Sequence, residues 1–91
     1  MLNYENMSFG EVLKAFRLNL SMTQREMADI LNTRLSTYKS WEYDKNFPSL
    51  SKIEYVYTTL IKLTADSEKT VEFLRNAYIK RKVTKNGKDR Q

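Results

Sequence analysis

"TQREMADILNTRLSTYKSWE", residues 23–42, is the stretch on which the fold of this chain turns. Its apolar residues recur at helical intervals, as in one amphipathic helix. The run "NTR" (32–34) breaks that pattern. Asn and Thr are poor helix residues, so one continuous helix is disfavoured. Two short helices meeting at a tight corner fit better. The stretch opens with a capping-box spacing, Thr23 followed three residues later by Glu26. Met27, Ala28, Ile30 and Leu31 then form an apolar face. Beyond the corner, Leu35, Tyr38, Trp41 and Glu42 share one side, and Arg34, Ser36, Thr37, Lys39 and Ser40 fall mostly outside.

The flanks continue in helical pattern. Ser8 and Glu11 make a second capping box ahead of Val12, Leu13, Phe16 and Leu20. "DKNFPS" (44–49) is a break, since Pro48 disfavours helix at Phe47 and Ser49 can cap the next helix. Ile53, Val56, Tyr57, Leu60, Ile61 and Leu63 mark that fourth helix over 49–64. "TADSEK" (64–69) breaks again, with Asp66 or Ser67 as cap. Val71, Leu74, Ala77 and Tyr78 mark a fifth helix over 67–81. One proline and two glycines leave little punctuation for strands and hairpins. The expected fold is all-α, a compact five-helix domain over 1–81.

Composition narrows the function. At 91 residues the chain is one domain, with a stability on the order of 5 kcal/mol. Histidine and cysteine are absent, which removes zinc sites, thiol nucleophiles, disulfides and the usual general base. Gly10 and Gly87 cannot make a glycine-rich phosphate loop. No enzyme, metal or cofactor is expected. No leader or apolar 18-residue run appears, so a cytoplasmic protein away from membranes is expected. Residues 80–91, "KRKVTKNGKDRQ", hold six of the sixteen Lys/Arg and one of the eleven Asp/Glu. The whole net charge of +5 therefore lies there, and residues 82–91 read as a flexible basic arm for a polyanion or as a solubilising tail.

Residues 13–50 resemble the helix-turn-helix of the Cro/repressor (lambda-repressor-like, XRE-type) family. The resemblance rests on Arg17, Thr23, Gln24, Glu26, Met27, Ala28, Ser36, Thr37, Trp41, Glu42 and Pro48, in order and at the family's intervals. It places the motif at 23–43. The family's corner usually holds glycine, because one residue there is left-handed. Here Asn32 stands in its place, the next most tolerant residue. Ala28 is expected at the helix crossing, and Tyr38 and Trp41 in the core. The resemblance also implies a salt bridge between Arg17 and Glu42.

The resemblance implies a double-stranded DNA operator as partner, with the second helix of the motif in the major groove. Arg34, Leu35, Ser36, Lys39 and Ser40 are the expected base contacts, Arg34 and Lys39 donating to guanine and Leu35 touching a thymine methyl. Thr23, Gln24, Thr37, Lys45 and Asn46 are the expected phosphate contacts, with Thr23 also a helix cap. A homodimer through helices 4 and 5 is expected to read a palindrome. Tyr55, Tyr57, Phe73 and Tyr78 are its interface candidates, although they could equally complete the monomer core. The leading expectation is a small autorepressor of a phage, plasmid or other mobile-element operon. The alternatives are an antitoxin or accessory protein whose C-terminal helices bind a protein partner, and a non-specific binder driven by the tail.

Overall fold

The computed structural model describes residues 6–64 and 67–89. Among these the backbone forms α1 (Phe9–Asn19), α2 (Gln24–Ile30), α3 (Leu35–Glu42), α4 (Leu50–Ile61) and α5 (Ser67–Asp89). The fold is all-α, with five helices and no strand among the described residues.

Helix starts follow local chemistry. Ser8 Oγ accepts from Glu11 N at 3.1 Å while Glu11 Oε1 accepts from Ser8 N at 2.9 Å. Thr23 and Glu26 repeat the exchange at 3.0 and 2.8 Å. Each box satisfies two of the amide groups a helix start leaves open. Ser49 caps α4 through Lys52 N. Asp66, one expected cap of α5, lies outside the described residues.

Three helix ends share one device. Ser21, Asn32 and Asp44 have φ of 56°, 55° and 60°, the left-handed region. The next amide reaches back in each case: Met22 N to Arg17 O at 3.2 Å, Thr33 N to Ala28 O at 3.0 Å, and Lys45 N to Ser40 O at 2.9 Å. These are Schellman closures, and each is made without the glycine that usually relieves left-handed strain. The corner expected at Asn32 is therefore present, joined by two more that no glycine marked.

The core takes one face from every helix. Val12, Leu13 and Phe16 of α1 are buried with Met27 and Ala28 of α2 and with Tyr38 and Trp41 of α3. Ile53, Val56, Tyr57 and Leu60 of α4 join Val71, Leu74 and Tyr78 of α5. Helix α1 packs against both α3 and α5, so it carries the motif on one side and the C-terminal helices on the other. Phe9 holds this junction, its ring 5.6 Å from Phe47 and 5.7 Å from Tyr78.

The start of α1 also abuts the end of α3. A β-carbon at Gly10 would stand 2.3 Å from the Glu42 carbonyl oxygen and 2.6 Å from that of Trp41. Only a residue without one lets the two backbones approach this closely. Asp44 closes the contact, accepting from Gly10 N at 2.9 Å and from Ser8 Oγ at 2.5 Å. Its carboxylate thus faces the positive end of α1, where negative charge is favoured.

Two expectations change. The aromatic residues expected at a self-interface mostly finish the monomer. Tyr57 and Tyr78 are buried, and Tyr78 donates to Pro48 O at 2.7 Å. Phe73 packs partly buried against the core. Tyr55 alone of the four is exposed. The fifth helix also runs further than Arg81, its backbone staying helical to Asp89 through most of the segment read as a flexible arm. Lys and Arg are good helix residues, and no proline follows Pro48 to stop the helix.

Candidate nucleic-acid interface

The corner is braced from α4. Lys52 Nζ donates to the Asn32 carbonyl oxygen at 3.0 Å and lies 4.7 Å from the Tyr55 ring centroid. The Tyr55 hydroxyl approaches Ile30 O at 3.5 Å, a long and weak contact. The carbonyl end of α2 thus meets a cation, the favourable sign for a helix C-terminus.

The inner face of α3 is locked by a buried polar network. Arg17 Nε donates to Glu42 Oε2 at 2.7 Å, and a second guanidinium nitrogen donates to Oε1 at 3.2 Å. Arg17 also donates to Met22 O at 2.9 Å. The Tyr38 hydroxyl donates to Glu42 Oε2, and Gln24 Nε2 donates to Oε1 at 3.0 Å. Glu42 therefore accepts from all three of the first helices. Burial alone would push its carboxyl up, but hydrogen bonds from Arg17, Tyr38 and Gln24 outweigh that and hold it below the ordinary range. The bond to Glu42 raises Arg17. Burial, then the Glu42 bond, raises Tyr38.

The outer face of α3 is polar. Arg34, Ser36 and Lys39 are exposed, while Thr37 and Ser40 are half-buried. Ser40 Oγ donates to Thr37 O at 2.6 Å, so toward a partner its oxygen serves as an acceptor. Just past the helix, Lys45 and Asn46 are exposed, and their backbone amides are held by Ser40 O. Thr23 is exposed at the start of α2 with its hydroxyl capping Glu26 N.

Two expected contacts are placed differently. Leu35 is half-buried and packs against the core. Its spacing of three from Tyr38 turns it toward the inner side, while part of its surface stays exposed as for Thr37 and Ser40. Gln24 turns its amide nitrogen inward to Glu42 and helps to position α3, where a phosphate contact was expected.

A groove runs beside the outer face of α3. Thr33, Ser36, Thr37 and Ser40 line it together with Asn46, Ser49 and Lys52. A smaller depression at the start of α3 is lined by Asp29, Asn32, Thr33, Arg34 and Thr37, so one acid and one base share an otherwise neutral polar rim. Thr33, Ser49 and Lys52 were not among the expected contacts. The cap at Ser49 was legible, but its place in the groove beside α3 depends on tertiary packing that local patterns do not carry.

Among the described residues, no group of three or more acidic, His or Cys side chains could hold a metal, and no helix is long and apolar enough to cross a membrane. No protein-family model, curated protein or solved structure matches the chain.

Proposed function

We propose that this chain is a sequence-specific regulator that binds double-stranded DNA, acting as a small repressor of a phage, plasmid or other mobile-element operon in the cytoplasm. The observation that carries this reading is the two-sided character of α3. Its inner face is locked through Glu42, and its outer face presents Arg34, Ser36 and Lys39 to solvent. A polar helix face held rigidly at a protein surface suits the major groove, which is wide enough to admit a helix.

On this reading residues 34–40 enter the groove. Arg34 and Lys39 donate to guanine O6 and N7, each good pair being worth about 1–3 kcal/mol of discrimination. Ser36 and Ser40 offer hydroxyl oxygens to exposed base amines. Lys45, Asn46 and Lys52 meet phosphates on either side of the groove. Two copies reading a palindrome would double the site.

Selection of bound duplexes from a random pool tests this. The expected product is a two-fold symmetric site with half-sites about one helical turn apart. A pool that enriches no sequence overturns the reading.

A further inference from the structure

The last turn of α2 sets an acid beside the outer face of α3. Asp29 and Arg34 line the smaller depression at the corner, which joins the groove through Thr33 and Thr37, since these line both. Of the residues lining the two hollows, Asp29 is the only acid. Asp29 and Arg34 are both exposed, and among the described residues neither side chain makes a hydrogen bond or an ion pair.

The corner fixes where the two residues stand. Asp29 O accepts from Asn32 N at 3.1 Å, and Arg34 O accepts from Tyr38 N at 2.9 Å. Between them Asn32 holds its left-handed φ of 55°. Arg34 occupies the N-cap position of α3, yet its side chain caps nothing. The backbone thus carries an acid and a base to one hollow and leaves both side chains available to a partner.

That arrangement discriminates between the two targets a duplex offers Arg34. A phosphate set against Arg34 also meets the repulsion of Asp29, which in water and at the separations within one depression weakens the contact about threefold. A guanine edge carries no net charge and presents two acceptors, O6 and N7. The guanidinium has five donors in a planar fork, so two can serve the guanine while another edge remains for a carboxylate. Asp29 supports at a base the same side chain that it opposes at a phosphate.

We propose that Asp29 is a positioning residue that commits Arg34 to a guanine edge and away from the phosphates. The inference rests on the DNA-binding reading and deepens it by naming the base read at the start of α3.

Selection from a random duplex pool, run in parallel on full-length wild type, Arg34→Ala and Asp29→Asn, tests the assignment. Wild type should enrich guanine at one position of the half-site, and Arg34→Ala should lose that preference. Asp29→Asn should lose it too and keep the other positions. In fluorescence anisotropy, changing that guanine to adenine should weaken wild type by about tenfold or more and Asp29→Asn by about twofold or less. On a scrambled duplex Asp29→Asn should bind about threefold more tightly than wild type, with a salt slope steeper by about 1. The steeper slope should vanish when Asp29→Asn is made in the Arg34→Ala chain, which a role in folding alone would not produce. Arg25, one turn earlier on α2, is the other base within reach of Asp29, and Arg25→Gln should keep the guanine preference. Thermal melts check that each variant is folded. A guanine preference intact in Asp29→Asn overturns this inference alone. A pool that enriches no sequence overturns the DNA reading, and this inference with it.

Discussion

Arg17 and Glu42 meet at 2.7 Å although 25 residues separate them, with side chains 9% and 0% exposed. The pair joins α1 to the end of α3. Arg17→Ala would leave Glu42 buried with only Tyr38 and Gln24 as partners. The expected loss is about 3–5 kcal/mol. In a domain of this size that lowers the melting temperature by more than about 10 °C. Arg17→Lys should recover only part, since an ammonium cannot reproduce the two-pronged contact. A melt of Arg17→Ala within about 1 °C of wild type would sink the assignment.

Acid should weaken the fold through the same pair. Glu42 is held below the ordinary carboxylate value of 4.5 in the folded state and regains it on unfolding. The unfolded chain therefore binds a proton first as pH falls. This contribution is fully present above about pH 4.5 and is lost as pH drops through the folded value. Urea titrations from neutral pH to about pH 3 should show it. Glu42→Gln should be less stable at neutral pH and should lack this part of the acid dependence.

Gly10→Ala tests the close approach of α1 and α3. The added carbon meets two backbone carbonyl oxygens, which cannot swing aside as a side chain could. The expected destabilisation is about 2–3 kcal/mol, although alanine is the better helix former. A variant as stable as wild type in chemical denaturation would show that the two backbones separate freely.

The left-handed helix ends make a contrasting pair of predictions. Ser21→Gly should stabilise by about 0.5–1 kcal/mol, relieving strain at φ 56°. Asp44→Gly relieves similar strain but removes the acceptors of Gly10 N and Ser8 Oγ, so it should destabilise. Opposite shifts in melting temperature are the expected result; shifts of the same sign would mean that the Asp44 carboxylate contributes little.

On the duplex selected from a random pool, Lys39→Ala and Arg34→Ala should each cost about 1–3 kcal/mol and relax preference at one position. Lys45→Ala should weaken all sequences alike and reduce the salt slope by about 1. Fluorescence anisotropy at several salt concentrations separates the two behaviours. An even loss across sequences for Lys39→Ala would move that residue to the phosphate contacts.

Legibility in the sequence followed the range of each interaction. Ser8–Glu11 and Thr23–Glu26 act within one helical turn, so spacing alone revealed them. Asn32 was legible because it interrupts a periodic run. The Arg17–Glu42 bridge came only through resemblance, since no local pattern joins residues 25 apart. Ser21 and Asp44 went unread as left-handed ends because no glycine marks them. Gln24 was assigned outward from its position, yet a buried carboxylate from α3 draws it in. Leu35 was assigned to both faces, and the packing leaves it half-buried between them. Tyr57 and Tyr78 were ambiguous because aromatic residues suit interfaces and cores alike, and only the packing of α5 on α1 and α4 resolves them.

The Schellman end at Asn32 has one more consequence. A glycine there would leave the corner free to open and close; a residue with a β-carbon confines it to one narrow basin. Lys52 holds the Asn32 carbonyl from outside, so the turn into α3 is braced in the folded chain. Whatever meets the outer face of α3 finds it already ordered, so association carries little of the entropy of arranging it.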